Sequence, residues 1–225
     1  MLAIRNRGPN QETLVIEKRE EDRDALRPRD LFNLQQFHDL FSSESIASGL
    51  QLEIGVHTIL FTDIVGSSEM YSTSGDDLAF KKVRNHFVKL YSIIDRFEGA
   101  VIKTIGDAAM VSFSSPLNAM KAAVELQKAF SKADAENVLL RISLHTGKCL
   151  AVNLNSNIDY FGATVNLAAK LQALPGAHEI VFSKVVYDAP LVKSFIQSQS
   201  LHLKQTDFSA PWLSQAVHAF ITRIV

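Results

Sequence analysis

Cysteine is nearly absent from this chain. Its 225 residues include one cysteine, Cys149, so no disulfide can form within the chain. This excludes the small disulfide-stapled secreted domains and fits a protein of the reducing cytoplasm. Cys149 lies in the apolar stretch Cys149-Leu150-Ala151-Val152, and we interpret it as a small core residue rather than a reactive thiol.

An excess of charge of either sign is also lacking. The sequence has 23 Lys and Arg against 24 Asp and Glu, a formal net charge of -1 at pH 7. We therefore expect no nucleic-acid partner and no polybasic contact with a membrane. No apolar run approaches the ~20 residues that span a bilayer, and the first residues lack the apolar segment of a signal peptide. The seven histidines show no metal-ligand spacing.

The hydrophobic content of 47% is enough for one substantial core and an appendage. Residues 1–30 carry interleaved charges, as in Glu17–Asp24, and form a segment too small for its own core. Residues 31–50 follow as a connecting helix, and residues 51–225 form the main domain. The helix is indicated by apolar residues three and four apart, namely Leu31, Leu34, Phe37, Leu40 and Phe41. It is either a strut packed on the domain or a coupler between a sensor and that domain.

Within the main domain the pattern predicts an α+β fold, a ferredoxin-like sandwich with a mostly antiparallel sheet and helices covering one side. Gly106-Asp107 between two apolar runs predicts a tight hairpin. An apolar stripe from Phe80 to Phe97 predicts a long helix. The remaining predicted elements are a strand at His57–Thr62, a helix after Pro116, a strand at Val138–Val152 with a turn at Gly147, a helix at Thr164–Leu174, and strands at Glu179–Ser183 and Val217–Ile224.

Two aspartates lie where this arrangement would bring strand ends together. Asp63 follows an apolar strand, and Asp107 lies at the apex of the predicted hairpin. Carboxylates that meet repel each other unless cations lie between them, and Mg²⁺ prefers oxygen ligands completed by water or phosphate. The pair is therefore a candidate two-metal site for phosphoryl-type chemistry. The alternative is that each aspartate is an ordinary cap or turn residue.

Gly66-Ser67-Ser68 follows Asp63 and begins the long helical region. Backbone N–H groups at a helix start attract anions, and glycine permits close approach of a phosphate. The segment is thus a candidate polyphosphate cradle, with an ordinary helix cap as the alternative.

Two further polar pairs stand out. Asn166 and Lys170 are four apart on a predicted helix and share one face. Lys103 lies in a predicted strand and Asp159 in a predicted loop. Taken alone, Lys103 and Lys170 read as solvated lysines and Asp159 as a loop residue.

Three stretches together, in this order and spacing, resemble the catalytic domain of class III nucleotidyl cyclases: Phe61-Thr62-Asp63-Ile64-Val65-Gly66-Ser67-Ser68, Lys103-Thr104-Ile105-Gly106-Asp107, and Asp159 to Lys170. The resemblance covers roughly residues 50–222. The chain resembles a bacterial type of this family that has a regulatory segment upstream of the catalytic domain, and residues 1–30 resemble the tail of that segment. It implies that Asp63 and Asp107 bind two Mg²⁺ or Mn²⁺ ions, with the backbone carbonyl of Ile64 as a further ligand.

The same resemblance implies roles for the other candidates. Lys103 and Asp159 match the pair that reads adenine, since a lysine donates to a ring acceptor and an aspartate accepts from the exocyclic amine. Family members that use GTP typically carry Glu and a Cys-like residue at these positions. Asn166 would orient the ribose, and Lys170 would neutralise phosphate charge where the family usually has Arg. Lys204 would contact the terminal phosphate.

The resemblance further implies a homodimer, because the family takes its metal aspartates from one subunit and its base-reading and phosphate-reading residues from the other. This chain holds both sets. The sequence is therefore expected to encode an adenylate cyclase that converts ATP to 3′,5′-cyclic AMP and pyrophosphate. A guanylate cyclase is the alternative enzyme, and a nucleotide-binding regulatory domain with little turnover is the alternative of another class.

Overall fold

A mixed sheet organises the part of the chain that the computed structural model describes, residues 31–41, 51–131, 138–154 and 157–224. Its strands are β1 Gln51–Ile64, β2 Gly99–Ile105, β3 Ala108–Phe113, β4 Leu140–Leu154, β5 Asn157–Phe161, β6 Glu179–Ser183, β7 Lys204–Phe208 and β8 Val217–Arg223. Their order is β2-β3-β1-β4-β6-β8-β7, and β5 pairs with β4 outside this path. Among these described pairs only β4 with β6 is parallel, so the expectation of a mostly antiparallel α+β sheet is confirmed.

The helices pack on both faces of this sheet. They are α1 Gln35–Phe41, α2 Ser67–Ser74, α3 Asp76–Arg96, α4 Pro116–Ser131, α5 Ala163–Leu171, α6 Lys184–Tyr187 and α7 Val192–Ser198. Leu60 and Ile64 of β1 share a core with α3 and α4, whereas Ile59 and Phe61 pack with Ala168 of α5 on the opposite face. The prediction of helices on one side was wrong, because this central strand is apolar on both faces and both must be covered.

Strand β4 runs through Gly147 without the predicted turn, and Gly147 lies opposite His57 of β1. The glycine is needed for another reason. A Cβ at this position would lie 2.5 Å from Oγ1 of Thr164, and that hydroxyl donates a 2.7 Å hydrogen bond to the backbone carbonyl of Lys148. Gly147 therefore permits the close approach of α5 to the sheet rather than a change of chain direction.

The long helix α3 buries only part of the predicted apolar stripe, including Val83, Leu90 and Ile94. Phe80 is 65% exposed and Tyr91 is 41% exposed. The buried side of the helix consists of Ala79, Val83, His86, Leu90, Ile93 and Ile94. The apolar spacing thus predicted the helix and part of its core face, but Phe80 and Tyr91 lie on its exposed side.

The segment at 31–41 is held to the domain by buried polar contacts. The carbonyl of Phe32 accepts a 2.5 Å hydrogen bond from the Tyr160 hydroxyl and a 2.8 Å bond from Nε2 of His38. Oε1 of Gln35 accepts a 2.7 Å bond from the amide of Val101 in the edge strand β2. The residues at 1–30 and 42–50, including the charged segment, lie outside the described residues. No helix in the described ranges is long and apolar enough to cross a membrane.

Replacing Tyr160 by Phe should lower the free energy of unfolding by about 1 kcal/mol, the usual net contribution of one buried hydrogen bond. Urea unfolding followed by circular dichroism measures this loss. Tyr91→Phe is the matched control, because Tyr91 is 41% exposed. Equal stability of the two variants would show that the Phe32 contact contributes nothing to the docking of the segment.

Candidate active site

Asp63 and Asp107 are brought to the same end of the sheet. Strand β1 pairs with β3 up to Thr62 opposite Ala109, and the β2–β3 hairpin closes with Ile105 opposite Ala108. The amide of Ile64 donates a 3.2 Å hydrogen bond to Oδ2 of Asp107. This bond joins the end of β1 directly to the hairpin turn. The turn itself is the one that Gly106-Asp107 predicts.

Arg141 is a residue that the sequence did not single out. It lies directly opposite Asp63 in the β1–β4 register, its Nε donates a 2.7 Å hydrogen bond to Oδ2 of Asp63, and its Nη2 donates to the same oxygen. The side chain of Asp63 is 17% exposed. Arg141 thus places a positive charge beside the Asp63 carboxylate, which reduces the repulsion between Asp63 and Asp107.

The oxygen atoms present here fit a hard divalent cation. The hydrogen bonds described above use Oδ2 of each aspartate, which leaves Oδ1 of each carboxylate and the Ile64 carbonyl as donors. Within the described residues no group of three or more His, Cys, Asp or Glu side chains could hold a metal ion. An ion at Asp63 and Asp107 would therefore complete its shell with water or substrate oxygens, as Mg²⁺ commonly does.

Gly66 is the N-cap residue that precedes helix α2, and its backbone is left-handed with φ 76° and ψ 22°. A Cβ here would have nothing within 4 Å, so the glycine is required by its backbone angles and not by crowding. No side chain caps this helix start, and Ser67 is half-buried whereas Ser68 is exposed. Helix α2 thus begins at Ser67, four residues after Asp63. Its first backbone amides are free of a side-chain cap, and amides at a helix start favour an anion.

Lys103 and Asp159 meet across the domain, although 56 residues separate them. Nζ of Lys103 donates a 2.6 Å hydrogen bond to Oδ2 of Asp159, and the amide of Tyr160 donates a 2.8 Å bond to Oδ1. Asp159 is buried, and it lies in strand β5 rather than in the loop that the sequence suggested. Lys103 retains further N–H donors at the surface, since its side chain is 38% exposed. The pair offers a donor and an acceptor side by side.

The remaining candidates are Asn166, Lys170 and Lys204. Asn166 and Lys170 are both exposed on one face of α5, and no hydrogen bond or ion pair joins them to Asp63 or Asp107 among the described residues. Lys204 begins β7, the strand at the other edge of the sheet from β2. Strand β7 is the fourth strand from β1, a separation of roughly 19 Å at the usual strand spacing. One copy of the chain therefore does not gather all the candidates in one pocket.

Two histidines in the strands lie within hydrogen-bond distance of serine hydroxyls. Nδ1 of His57 lies 2.9 Å from Oγ of Ser112, and Nδ1 of His145 lies 2.8 Å from Oγ of Ser183. Burial lowers the pKa of His145 to about 4, so this imidazole is neutral at neutral pH. Cys149 is buried and free, in agreement with its expected place in the core.

Comparison with known proteins identifies a family and several relatives. Residues 51–204 match the family described as the adenylate and guanylate cyclase catalytic domain. The chain is 25% identical over 174 residues to the receptor-type adenylate cyclase GRESAG 4.3 of Trypanosoma brucei brucei, which covers 59% of this chain and 14% of that protein. It is 30% identical over 146 residues to guanylate cyclase 32E of Drosophila melanogaster, covering 58% of this chain and 13% of that protein. The chain thus spans a small part of these relatives.

Solved structures share the fold. The adenylyl cyclase CyaB from P. aeruginosa superposes with a TM-score of 0.66 at 19% identity, covering 78% of this chain and 97% of that one. The guanylyl cyclase Cya2 gives a TM-score of 0.66 at 18% identity, with 80% and 95% covered. The family match extends over more than half of the sequence, and the chain therefore belongs to the adenylate and guanylate cyclase catalytic domains of class III.

Proposed function

We propose that this cyclase domain is an adenylate cyclase, which converts ATP to 3′,5′-cyclic AMP and pyrophosphate. The observation that carries the proposal is the contact between Lys103 and Asp159. Adenine presents a ring nitrogen that accepts and an amine that donates, which suits a lysine beside an aspartate. Guanine presents the opposite polarities at these positions, so it would place an acceptor against the Asp159 carboxylate, and two acceptors that face each other disfavour the wrong base.

Asp63, Asp107 and the Ile64 carbonyl would hold two Mg²⁺ or Mn²⁺ ions. Bound there, the ions supply positive charge to the phosphates and lower the cost of deprotonating the ribose 3′-hydroxyl. Arg141 keeps Asp63 in place through two N–H donors on one carboxylate oxygen. The amides that begin α2 after Gly66, together with Ser67 and Ser68, lie beside the loop after Asp63 and would receive the polyphosphate.

The reaction requires one bond to form and one to break. The ribose 3′-oxygen attacks the α-phosphorus, its proton passes to water, and the bond from the α-phosphorus to the bridging oxygen of pyrophosphate breaks. No protein atom forms a covalent bond, so the residues act by positioning and by charge stabilisation.

Asn166 and Lys170 would act from the partner in a homodimer. Both are exposed on α5, and no hydrogen bond or ion pair joins them to Asp63 or Asp107 in the described part of their own chain. A two-fold pairing that brings α5 of one copy to the aspartates of the other would yield two complete sites, with Lys204 contributing to the terminal phosphate. Lys170 keeps the charge of the arginine usual in the family but not its planar two-point grip.

We also propose that residues 31–50 connect the catalytic domain, at 51–225, to an upstream regulatory domain whose tail is the charged segment 1–30. The contact that supports this role is the Tyr160 hydroxyl on the Phe32 carbonyl. Tyr160 adjoins Asp159, and its amide holds the Asp159 carboxylate. A shift of the segment would therefore act on a base-reading residue through one neighbour.

A guanylate cyclase is the second candidate, favoured by the similarity to guanylate cyclase 32E. Purified protein with Mn²⁺ should form cyclic AMP from ATP much faster than cyclic GMP from GTP. Asp107→Asn should reduce turnover by about 10²–10³-fold, the scale of a lost catalytic electrostatic group, while its amide oxygen still accepts the Ile64 N–H. Asp207→Asn, in the exposed pair with His218, is the control and should retain full activity. A preference for GTP would identify the enzyme as a guanylate cyclase.

Arg141→Met should lower the free energy of unfolding by about 1–2 kcal/mol, because it removes charge-assisted hydrogen bonds from a half-buried pair. Mn²⁺ should then raise the melting temperature of this variant more than that of the wild type, since the ion restores the missing positive charge. Arg96→Met is the control, because Arg96 and Glu125 form an exposed 3.5 Å pair. If Mn²⁺ shifts all three proteins equally, the carboxylates do not form the ion site.

A mixture of Asp107→Asn and Asn166→Ala proteins, each inactive alone, should regain about a quarter of wild-type activity. Half of the dimers in an equal mixture are mixed, and each mixed dimer contains one intact site of two. Activity is measured after subunit exchange, which fluorescence transfer between labelled copies verifies. Exchange without recovery would contradict sites shared between copies.

A further inference from the structure

His86 of helix α3 is fully buried at 0% exposure. Neither of its ring nitrogens has a hydrogen-bond partner among the described residues. The ring packs on Phe87 and Phe130, each with ring centroids 5.1 Å away. A polar group buried without a partner destabilises the fold, and leucine would fill this position at lower cost. The imidazole therefore calls for a partner that a side chain of the described residues does not provide.

Thr62 of strand β1 has the same property. It is buried at 0% exposure and its hydroxyl also lacks a partner among the described residues. Thr62 lies two residues from Leu60 and two from Ile64, so the three side chains share one face of β1. Leu60 and Ile64 enter the core that also contains Val83 and Phe130. Since Val83 and Leu90 flank His86 on the buried side of α3, both unpaired polar groups face the layer between the sheet and helices α3 and α4.

The Asp107 carboxylate lies at the same end of β1 as Thr62, since its Oδ2 accepts the amide of Ile64, two residues from Thr62. This carboxylate opposes the effect of burial on the His86 imidazole, whereas Lys89 adds to it. Burial is the larger effect and lowers the pKa of His86 to about 4. At neutral pH the ring is therefore neutral, with one N–H donor and one acceptor nitrogen.

We propose that His86 and Thr62 bind one enclosed water molecule that hydrogen-bonds to the Asp107 carboxylate from the core side, which makes His86 a positioning residue for Asp107. A buried water typically makes about three hydrogen bonds. The imidazole and the hydroxyl are groups without a partner among the described residues, and the Asp107 carboxylate can accept further hydrogen bonds besides that of the Ile64 amide. The water fixes the carboxylate from behind while the Ile64 amide fixes Oδ2. The consequence for ion binding rests on the proposed function of Asp107 as a metal ligand.

The test uses His86→Leu and Thr62→Val, with Thr222→Val as the matched control. Thr222 is also buried, at 1% exposure, with an unpartnered hydroxyl among the described residues, but it lies in β8 opposite Ile180. In protein without metal, hydrogen exchange at the Ile64 amide is followed by NMR. The Val65 amide, bonded to the Leu139 carbonyl at 2.8 Å, is the internal reference.

Both test variants should speed Ile64 exchange relative to Val65, and Thr222→Val should not. Both should also weaken Mn²⁺ binding, measured by electron paramagnetic resonance without nucleotide, by about tenfold, the lower end for a lost outer-shell partner. If the test variants leave both quantities unchanged, or if Thr222→Val changes them equally, His86 is a core residue only and the inference is wrong. If His86→Leu does not fold, Thr62→Val decides.

The two proposals fail in different ways. Should the wild type bind no Mn²⁺, the metal role of Asp107 is wrong, yet Ile64 exchange still decides whether the buried groups hold the hairpin turn. Should the wild type bind Mn²⁺ and the variants behave like it in both measurements, the metal role stands and the positioning role of His86 is wrong.

Discussion

The hydrogen bond from the Ile64 amide to Asp107 is the contact on which the arrangement of this site depends. It fixes the end of the central strand β1 to the turn of the β2–β3 hairpin, so that two aspartates lie together at one sheet end. Two neighbouring carboxylates would otherwise repel each other. Arg141, on the other neighbour of β1, relieves that repulsion from the opposite side. Three adjacent strands thus hold two aspartates and one arginine together at one corner of the sheet.

The base-reading pair depends on a different part of the sheet. Lys103 lies on the same hairpin as Asp107, whereas Asp159 belongs to β5, which pairs with β4 beyond the end of the contact of β4 with β6. Tyr160 connects this pair to the segment at 31–41 through its hydroxyl. The hairpin carries Asp107, a proposed metal ligand, and Lys103, a proposed base-reading residue, so a movement of that hairpin would act on both proposed contacts.

Local signals in the sequence predicted the parts of this structure that local chemistry determines. The Gly106-Asp107 turn, the strand before Asp63 and the helix after Pro116 were predicted because each combines a turn or cap residue with an apolar run. The contact of Arg141 with Asp63 was missed, because it joins residues 78 apart and depends on the register of two long strands. Gly147 was misread as a turn for a related reason, since its role is set by Thr164 of a helix packed on the sheet. The roles of the site residues came from the family resemblance and remain predictions.

Substrate choice is determined at a finer level than the fold. An adenylyl and a guanylyl cyclase superpose on this chain with the same TM-score of 0.66, so the backbone alone does not distinguish the two chemistries. A fold supports several activities, and the difference lies in side chains placed on it. We assign that difference here to Lys103 and Asp159, where a donor and an acceptor are held 2.6 Å apart. A base that presents an acceptor to the Asp159 carboxylate would bring two acceptors together, and the proposed preference for adenine follows from that cost.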